Sequence, residues 1–193
     1  GFTIEISPMF ENVVFKFVNI PESTTIDNTP ILDRRVRQAI NYALDREKYV
    51  KEVLGGLTVA ASQSGTRTTL GYQKDLKPYP YDPAKAKKLL AEAGYSKGLD
   101  LTMEMIATSS DYINTSQFVA ASLKEVGVNL DVRQLSIPEL LKRIRGIKPW
   151  DGHMWMGLTE AFPTGDIMRP FGTDSCSFFG KFLCDKTIQP EVD

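Results

Sequence analysis

The sequence predicts an α/β fold with a mixed, mainly parallel sheet flanked by helices. Between residues 99 and 158 three strand patterns alternate with two helix patterns, an order that favours parallel strands joined by crossover helices. Residues 2–6 and 13–17 alternate apolar and polar positions, and we expect them to add antiparallel strands. With 193 residues the chain can form one substantial domain but is short for two.

Helix starts are marked by aspartates that precede apolar positions at helical spacing. Asp33, Asp45, Asp82 and Asp111 are the predicted capping residues, and Pro83 follows Asp82 at the first helical position. A side chain from each principal helical segment is expected in the core. The predicted buried set is Val36, Ile40, Leu90, Leu123 and Leu141.

Further along the chain, Ser136 and Glu139 have the spacing of a capping box and predict a helix that ends at Gly146. A last strand is predicted over residues 152–158, with His153 inside it. Residues 58–81 show no clear period and are predicted to be a long loop.

Composition excludes several classes of function. The formal net charge of -1 provides no basic field for nucleic acid, and no apolar run approaches the ~20 residues of a membrane helix. One histidine and two cysteines do not supply a metal cluster of the usual spacing, and no nucleophile elbow, phosphate loop or dinucleotide fingerprint is present. We therefore predict no catalytic residues, no metal and no cofactor.

Cys176 and Cys184 lie eight positions apart in a loop that contains glycine and phenylalanine. A disulfide between them is one interpretation and would suit an oxidising compartment. Two unpaired thiols are the alternative.

Candidate ligand contacts follow two strands of the predicted sheet, because ligands of such sheets bind beyond the carboxyl ends of the strands. Residues 106–111 provide one such place, with Thr108 as its candidate. Residues 158–166 provide the other, and the segment entering it mixes large apolar and polar groups suited to a small-molecule cleft. Its candidates are Trp155, Met156, Gly157, Thr159 and Glu160. The alternative is that Trp155 and Phe162 simply fill core beneath a loop.

Two segments resemble a known family. Residues 33–46 (DRRVRQAINYALDR) are similar to the "VRQAINYAIDR" helix of the family 5 extracellular solute-binding proteins, and residues 81–95 (YDPAKAKKLLAEAGY) to that family's "YDPEKAKKLLAEAGY". The helix that ends at Gly127, then Leu140–Leu141 and Trp150–Asp151, continue the match in the same order. The resemblance covers nearly the whole chain.

The resemblance implies a type II periplasmic-binding-protein-like fold, in which two lobes close over a ligand. Residues 1–193 would form a single lobe, the second one, with the first lobe absent. The complete protein would be periplasmic or extracellular, with a lipid anchor as an open alternative, and would deliver its solute to the membrane subunits of an ABC permease. Strand residues at the very start, and a helix entrance at residues 190–193, likewise predict a longer protein.

Ligand residues of the dipeptide-binding members do not carry over to this chain. In those members an aspartate pairs with the ligand ammonium, and the resemblance aligns it with Thr159, next to Glu160. The arginine that binds the ligand carboxylate aligns near Ile106, and a ligand-contacting tryptophan aligns near Ile137. Burying an ammonium without an anion costs several kcal/mol. The departures favour a longer peptide held by its backbone, or a non-peptide solute such as a sugar conjugate, an opine or a metal chelate. A hydrolase is the alternative from another class of function, but the sequence shows no nucleophile, base and orienting residue that would converge at the cleft.

Overall fold

The computed structural model describes residues 11–18, 24–56, 58–63, 72–107, 110–144 and 147–160, with the backbone alone at 11–16, 144 and 158–160. The strand predicted over residues 2–6, Thr108 and both cysteines lie outside the described residues.

The described strands form one sheet. They are β1 (Glu11–Phe17), β2 (Leu99–Ile106), β3 (Val128–Leu135) and β4 (Met154–Glu160). Their order is β1-β4-β2-β3, with β1 antiparallel to β4 and β2 parallel to both of its neighbours. The predicted mixed, mainly parallel sheet is confirmed.

The described residues form six helices, three of which begin directly after an aspartate that the sequence predicts as a cap. They are α1 (Thr29–Leu32), α2 (Arg34–Ala43), α3 (Arg46–Glu52), α4 (Pro83–Glu92), α5 (Ser110–Glu125) and α6 (Ile137–Ile144). The carboxylates of Asp33, Asp45 and Asp82 accept hydrogen bonds from backbone N–H groups at 2.8, 2.9 and 2.8 Å. Helix α5 begins at Ser110, one residue before the predicted Asp111. Between α3 and α4 the described residues form no helix or strand, as expected for the long loop.

The main core lies on one face of the sheet, beneath α2, α4 and α5. Alternate residues of β2 and β4 point into it, as the period of two requires. The members from the two strands are Leu99, Leu101, Met103, Met105, Met154 and Met156. Four of the five predicted core residues, Val36, Ile40, Leu90 and Leu123, are buried here.

The opposite face of the sheet carries a second, smaller cluster of Val18, Leu140, Trp150 and Trp155, partly covered by α6. Helices therefore flank the sheet on both faces. The prediction for Leu141 is wrong: its side chain is 40% exposed, whereas Leu140 is 8% exposed and faces the indoles. Two consecutive helical residues point about 100° apart, and the rotation of α6 on the sheet directs Leu140 inward and Leu141 toward solvent.

His153 does not lie inside a strand, because β4 begins one residue later at Met154. The backbone of His153 donates to the carbonyl of Thr102 at 2.9 Å, and its ring nitrogen Nδ1 accepts from the N–H of Thr102 at 3.0 Å. The imidazole nitrogen thus accepts the hydrogen bond that a backbone carbonyl would accept in a regular β-ladder. The regular pairing of β4 with β2 starts at the next residue.

Candidate functional site

The parallel strands end together at one edge of the sheet, the edge at which the sequence predicts ligand contacts. Strands β2, β3 and β4 end at Ile106, Leu135 and Glu160, and α6 begins two residues after β3. The ladder between β2 and β4 runs from Met103–Met154 to Met105–Met156. The last residues of β4 pair with β1 alone in the described registers, up to Glu160 opposite Glu11. Strand β4 therefore extends past the end of its ladder with β2.

Trp155 lies flat along β4, and Gly157 makes this possible. A Cβ atom built at Gly157 would overlap the six-membered ring of Trp155, since both residues lie on the same face of the strand. The indole also stacks on Trp150, with ring centroids 5.3 Å apart and an interplanar angle of 25°. Its direction along the strand is therefore set from both sides, toward the carboxyl edge.

The predicted site residues differ in their surroundings. Trp155 is 6% exposed, Met156 is fully buried in the main core, and Gly157 is buried. Ile137 is 55% exposed at the first turn of α6, so it is open to a binding partner. The backbones of Thr159 and Glu160 belong to β4 at its carboxyl end. The topology thus brings Ile137 and the β4 residues to one edge of the sheet.

A buried ion pair beside this edge is absent from the sequence prediction. Nη2 of Arg143 donates to Oε1 of Glu104 at 2.8 Å, and Nε of Arg143 donates to the same oxygen at 3.3 Å. The side chains are 5% and 1% exposed. The other carboxylate oxygen, Oε2, accepts from the backbone N–H of Asp151 at 3.0 Å. Glu104 therefore binds both α6 and the segment that leads into β4.

A sequence signal for this pair exists. Glu104 follows Met103 and precedes Met105 in the middle of an apolar strand, and a central parallel strand is covered on both faces. A carboxylate at such a position needs a cation or several donors. Arg143, on the helix that crosses that face, is the cation that meets this need.

His153 is the other buried titratable group near the site. Burial lowers the pKa of His153 from its ordinary value of 6.5, whereas the backbone carbonyl and the carboxylate of Asp27 raise it and Arg133 lowers it. Nδ1 accepts a hydrogen bond, so the neutral ring is the form that fits.

Two concavities of the described surface lie away from the carboxyl edge. One is lined mainly by α4, and the other lies at the amino ends of β2 and β3, lined by residues that include Gly98 and Gly127. Among the described residues, no three His, Cys, Asp or Glu side chains are placed to share a metal ion. No described helix is both long enough and apolar enough to span a membrane.

Comparison with known proteins identifies the class. Residues 6–175 match the model of the bacterial extracellular solute-binding proteins, family 5 Middle. Because the match covers most of the chain, the protein belongs to this family. Among curated relatives, the glutathione-binding protein GsiB of Escherichia coli strain K12 is 31% identical over 124 residues, which is 64% of this chain and 24% of the relative. The chain thus spans about a quarter of the length of the curated relatives it matches.

Solved structures agree with this assignment. The periplasmic binding protein DppA of Helicobacter pylori, in complex with the peptide STSA, is 26% identical with a TM-score of 0.66, over 78% of this chain and 27% of that one. NikA of Brucella suis, in complex with Fe(III)-EDTA, has a TM-score of 0.75 at 24% identity, over 94% of this chain and 38% of that one. At this identity the similarity supports a common fold and nothing more. The described architecture is therefore that of type II periplasmic binding proteins, and the relatives are solute-binding proteins.

Proposed function

We propose that this chain is the second lobe of a two-lobed solute-binding protein that captures an oligopeptide and delivers it to an ABC permease. The observation that carries the proposal is the family match over residues 6–175, since solute binding is what the family is named for. The chain covers 24–38% of relatives such as GsiB, DppA and NikA, which supports a longer protein with a second lobe. The protein would act outside the cytoplasm, in the periplasm or on a lipid anchor, without catalysing a reaction.

Backbone recognition of a peptide is supported by the geometry of β4. This strand runs past the end of its ladder with β2, and the peptide groups at its carboxyl end are candidates to pair with an extended ligand. Main-chain hydrogen bonds of this kind do not depend on the side chains of the ligand. Ile137 would then contribute apolar contact, Trp155 would support the edge from beneath, and Thr159 and Thr108 are candidates to offer polar groups.

The residues at the carboxyl edge argue against a free dipeptide. Ile106 supplies no cation for a ligand carboxylate, and Thr159 supplies no anion for an ammonium. Threonine can exchange one hydrogen bond but cannot neutralise a charge, and a buried ammonium without an anion is costly. Glu160 could restore an anion only if its side chain turned into the cleft.

A ligand panel tests the proposal on the complete protein. Native mass spectrometry would identify retained solutes, and calorimetry would compare free and N-acetylated di-, tri- and tetrapeptides with glutathione, a sugar conjugate and a metal chelate. We expect tetrapeptides to bind most tightly and N-acetylation to change the affinity less than about threefold. A strong preference for free dipeptides that is lost in Glu160→Gln but kept in Thr159→Val would contradict the proposed mode of recognition. Binding of none of the panel would contradict the function itself.

A further inference from the structure

The Glu104 carboxylate joins three elements at one buried point. Glu104 lies on β2, directly opposite Trp155 in the ladder with β4. It receives two hydrogen bonds from Arg143 of α6 and one from the N–H of Asp151, next to Trp150. The two tryptophans and α6 are thus connected through a single side chain.

In the part of α6 whose side chains the structure describes, few other residues attach the helix to the sheet. Among its described side chains, Leu140 and Arg143 are the buried ones, whereas Ile137 and Leu141 are exposed. Leu140 packs against the indoles without directional preference, because apolar contacts are non-directional. The guanidinium of Arg143 adds direction, since its two donors meet one carboxylate oxygen in a narrow range of angles.

A buried ion pair is a poor source of stability. The desolvation of both charges offsets most of their attraction, and apolar replacements of such pairs are often equally stable. In some proteins such a pair instead specifies one arrangement of the elements that it joins. The elements here are α6, which carries the exposed Ile137, and β4, which carries the buried Trp155.

We propose that Glu104 and Arg143 are positioning residues that hold α6 and the Trp150–Trp155 stack in the arrangement required for ligand binding. The predicted effect on solute affinity rests on the proposed function. The predicted effect on the arrangement of α6 and the two indoles does not. Neither residue needs to touch the solute. Their removal would let α6 shift relative to β4 and change the distance between the apolar contacts at the carboxyl edge.

The test uses Arg143→Met, with Arg35→Met as the matched control. Arg35 also pairs with a carboxylate, that of Asp33 at 2.6 Å, but its side chain is 47% exposed and it belongs to α2. In the near-ultraviolet circular dichroism of the 193-residue chain, the long-wavelength indole bands report on Trp150 and Trp155, its only two tryptophans. Calorimetry of the complete protein with the tightest-binding tetrapeptide of the panel reports on affinity.

We expect Arg143→Met to change the indole dichroism in native buffer and to weaken tetrapeptide binding at least about tenfold, while Arg35→Met changes neither. If Arg143→Met does not fold, the double variant Glu104→Leu, Arg143→Met decides, since it removes the unpaired buried charge. It should fold with the same two changes. Wild-type indole dichroism together with wild-type affinity in a folded variant would overturn the inference. Failure of the wild type to bind any solute would instead overturn the proposed function, and the dichroism would still decide the positioning role.

Discussion

Gly157 shows at the scale of one residue how the site excludes a side chain. The ring of Trp155 occupies the space where a Cβ atom would lie. We expect Gly157→Ala to displace the indole and to lower the free energy of unfolding by about 1–3 kcal/mol, the usual cost of overpacking. Urea denaturation would measure it.

The control is the same Gly157→Ala change made in a Trp155→Ala variant, in which the indole ring no longer occupies the space over residue 157. There Gly157→Ala should cost little, so the double-mutant cycle should show a large coupling energy between the two positions. Equal costs in both backgrounds would mean that the indole does not lie over Gly157.

His153 gives a second prediction at this scale, because its folded form is the neutral one. Its pKa is lowered from 6.5 by burial, so below about pH 6.5 the unfolded chain takes up a proton that the folded chain refuses. This contribution to stability is complete above pH 6.5 and is lost as the pH falls toward the lowered pKa. The carboxylates of Asp27 and Asp33, whose pKa values are lowered from 3.8, titrate below this window.

We therefore expect the urea midpoint to fall between pH 7.5 and pH 5.5. In His153→Asn the fall should be smaller, because Oδ1 of asparagine can accept from the N–H of Thr102 without titrating. An equally steep fall in this variant would show that another group is responsible.

At the scale of the elements, α6 buries Leu140 and exposes the adjacent Leu141. Leu140→Ala should lower the free energy of unfolding by about 2–5 kcal/mol, because Leu140 packs on Trp150 and Trp155. Leu141→Ala should change it by less than about 0.5 kcal/mol, as expected for an exposed side chain. Chemical denaturation of the two variants compares them directly, and a larger cost at Leu141 would require a different rotation of the helix.

The helices show why the fold was easier to predict from the sequence than the site. Local signals set the helix starts: Asp33, Asp45 and Asp82 cap the helices that follow them, as their positions in the sequence indicate. The apolar positions of α6, residues 137, 140, 141 and 144, define a stripe along the helix, but which edge of the stripe is buried depends on the sheet beneath it. The partner of Glu104 lies 39 positions away, and only the packed sheet brings it into contact.

For the candidate site, alternation along β4 placed Trp155 and Met156 on opposite faces, but it did not indicate which face the cleft would use. The structure buries Met156 in the main core and stacks Trp155 on Trp150. The contribution of Thr159 and Glu160 stays a prediction.

At the scale of the whole molecule, the proposed function has this chain bind solute as one wall of a two-lobed cleft. Half of the contacts and most of the desolvation would be missing from one lobe alone. The most direct measurement is a calorimetric titration of the complete protein and of the 193-residue chain with the same tetrapeptide. We predict micromolar or tighter binding by the complete protein, and binding at least about a hundredfold weaker by the chain alone. Micromolar or tighter binding by the chain alone, or no binding by the complete protein, would contradict the account.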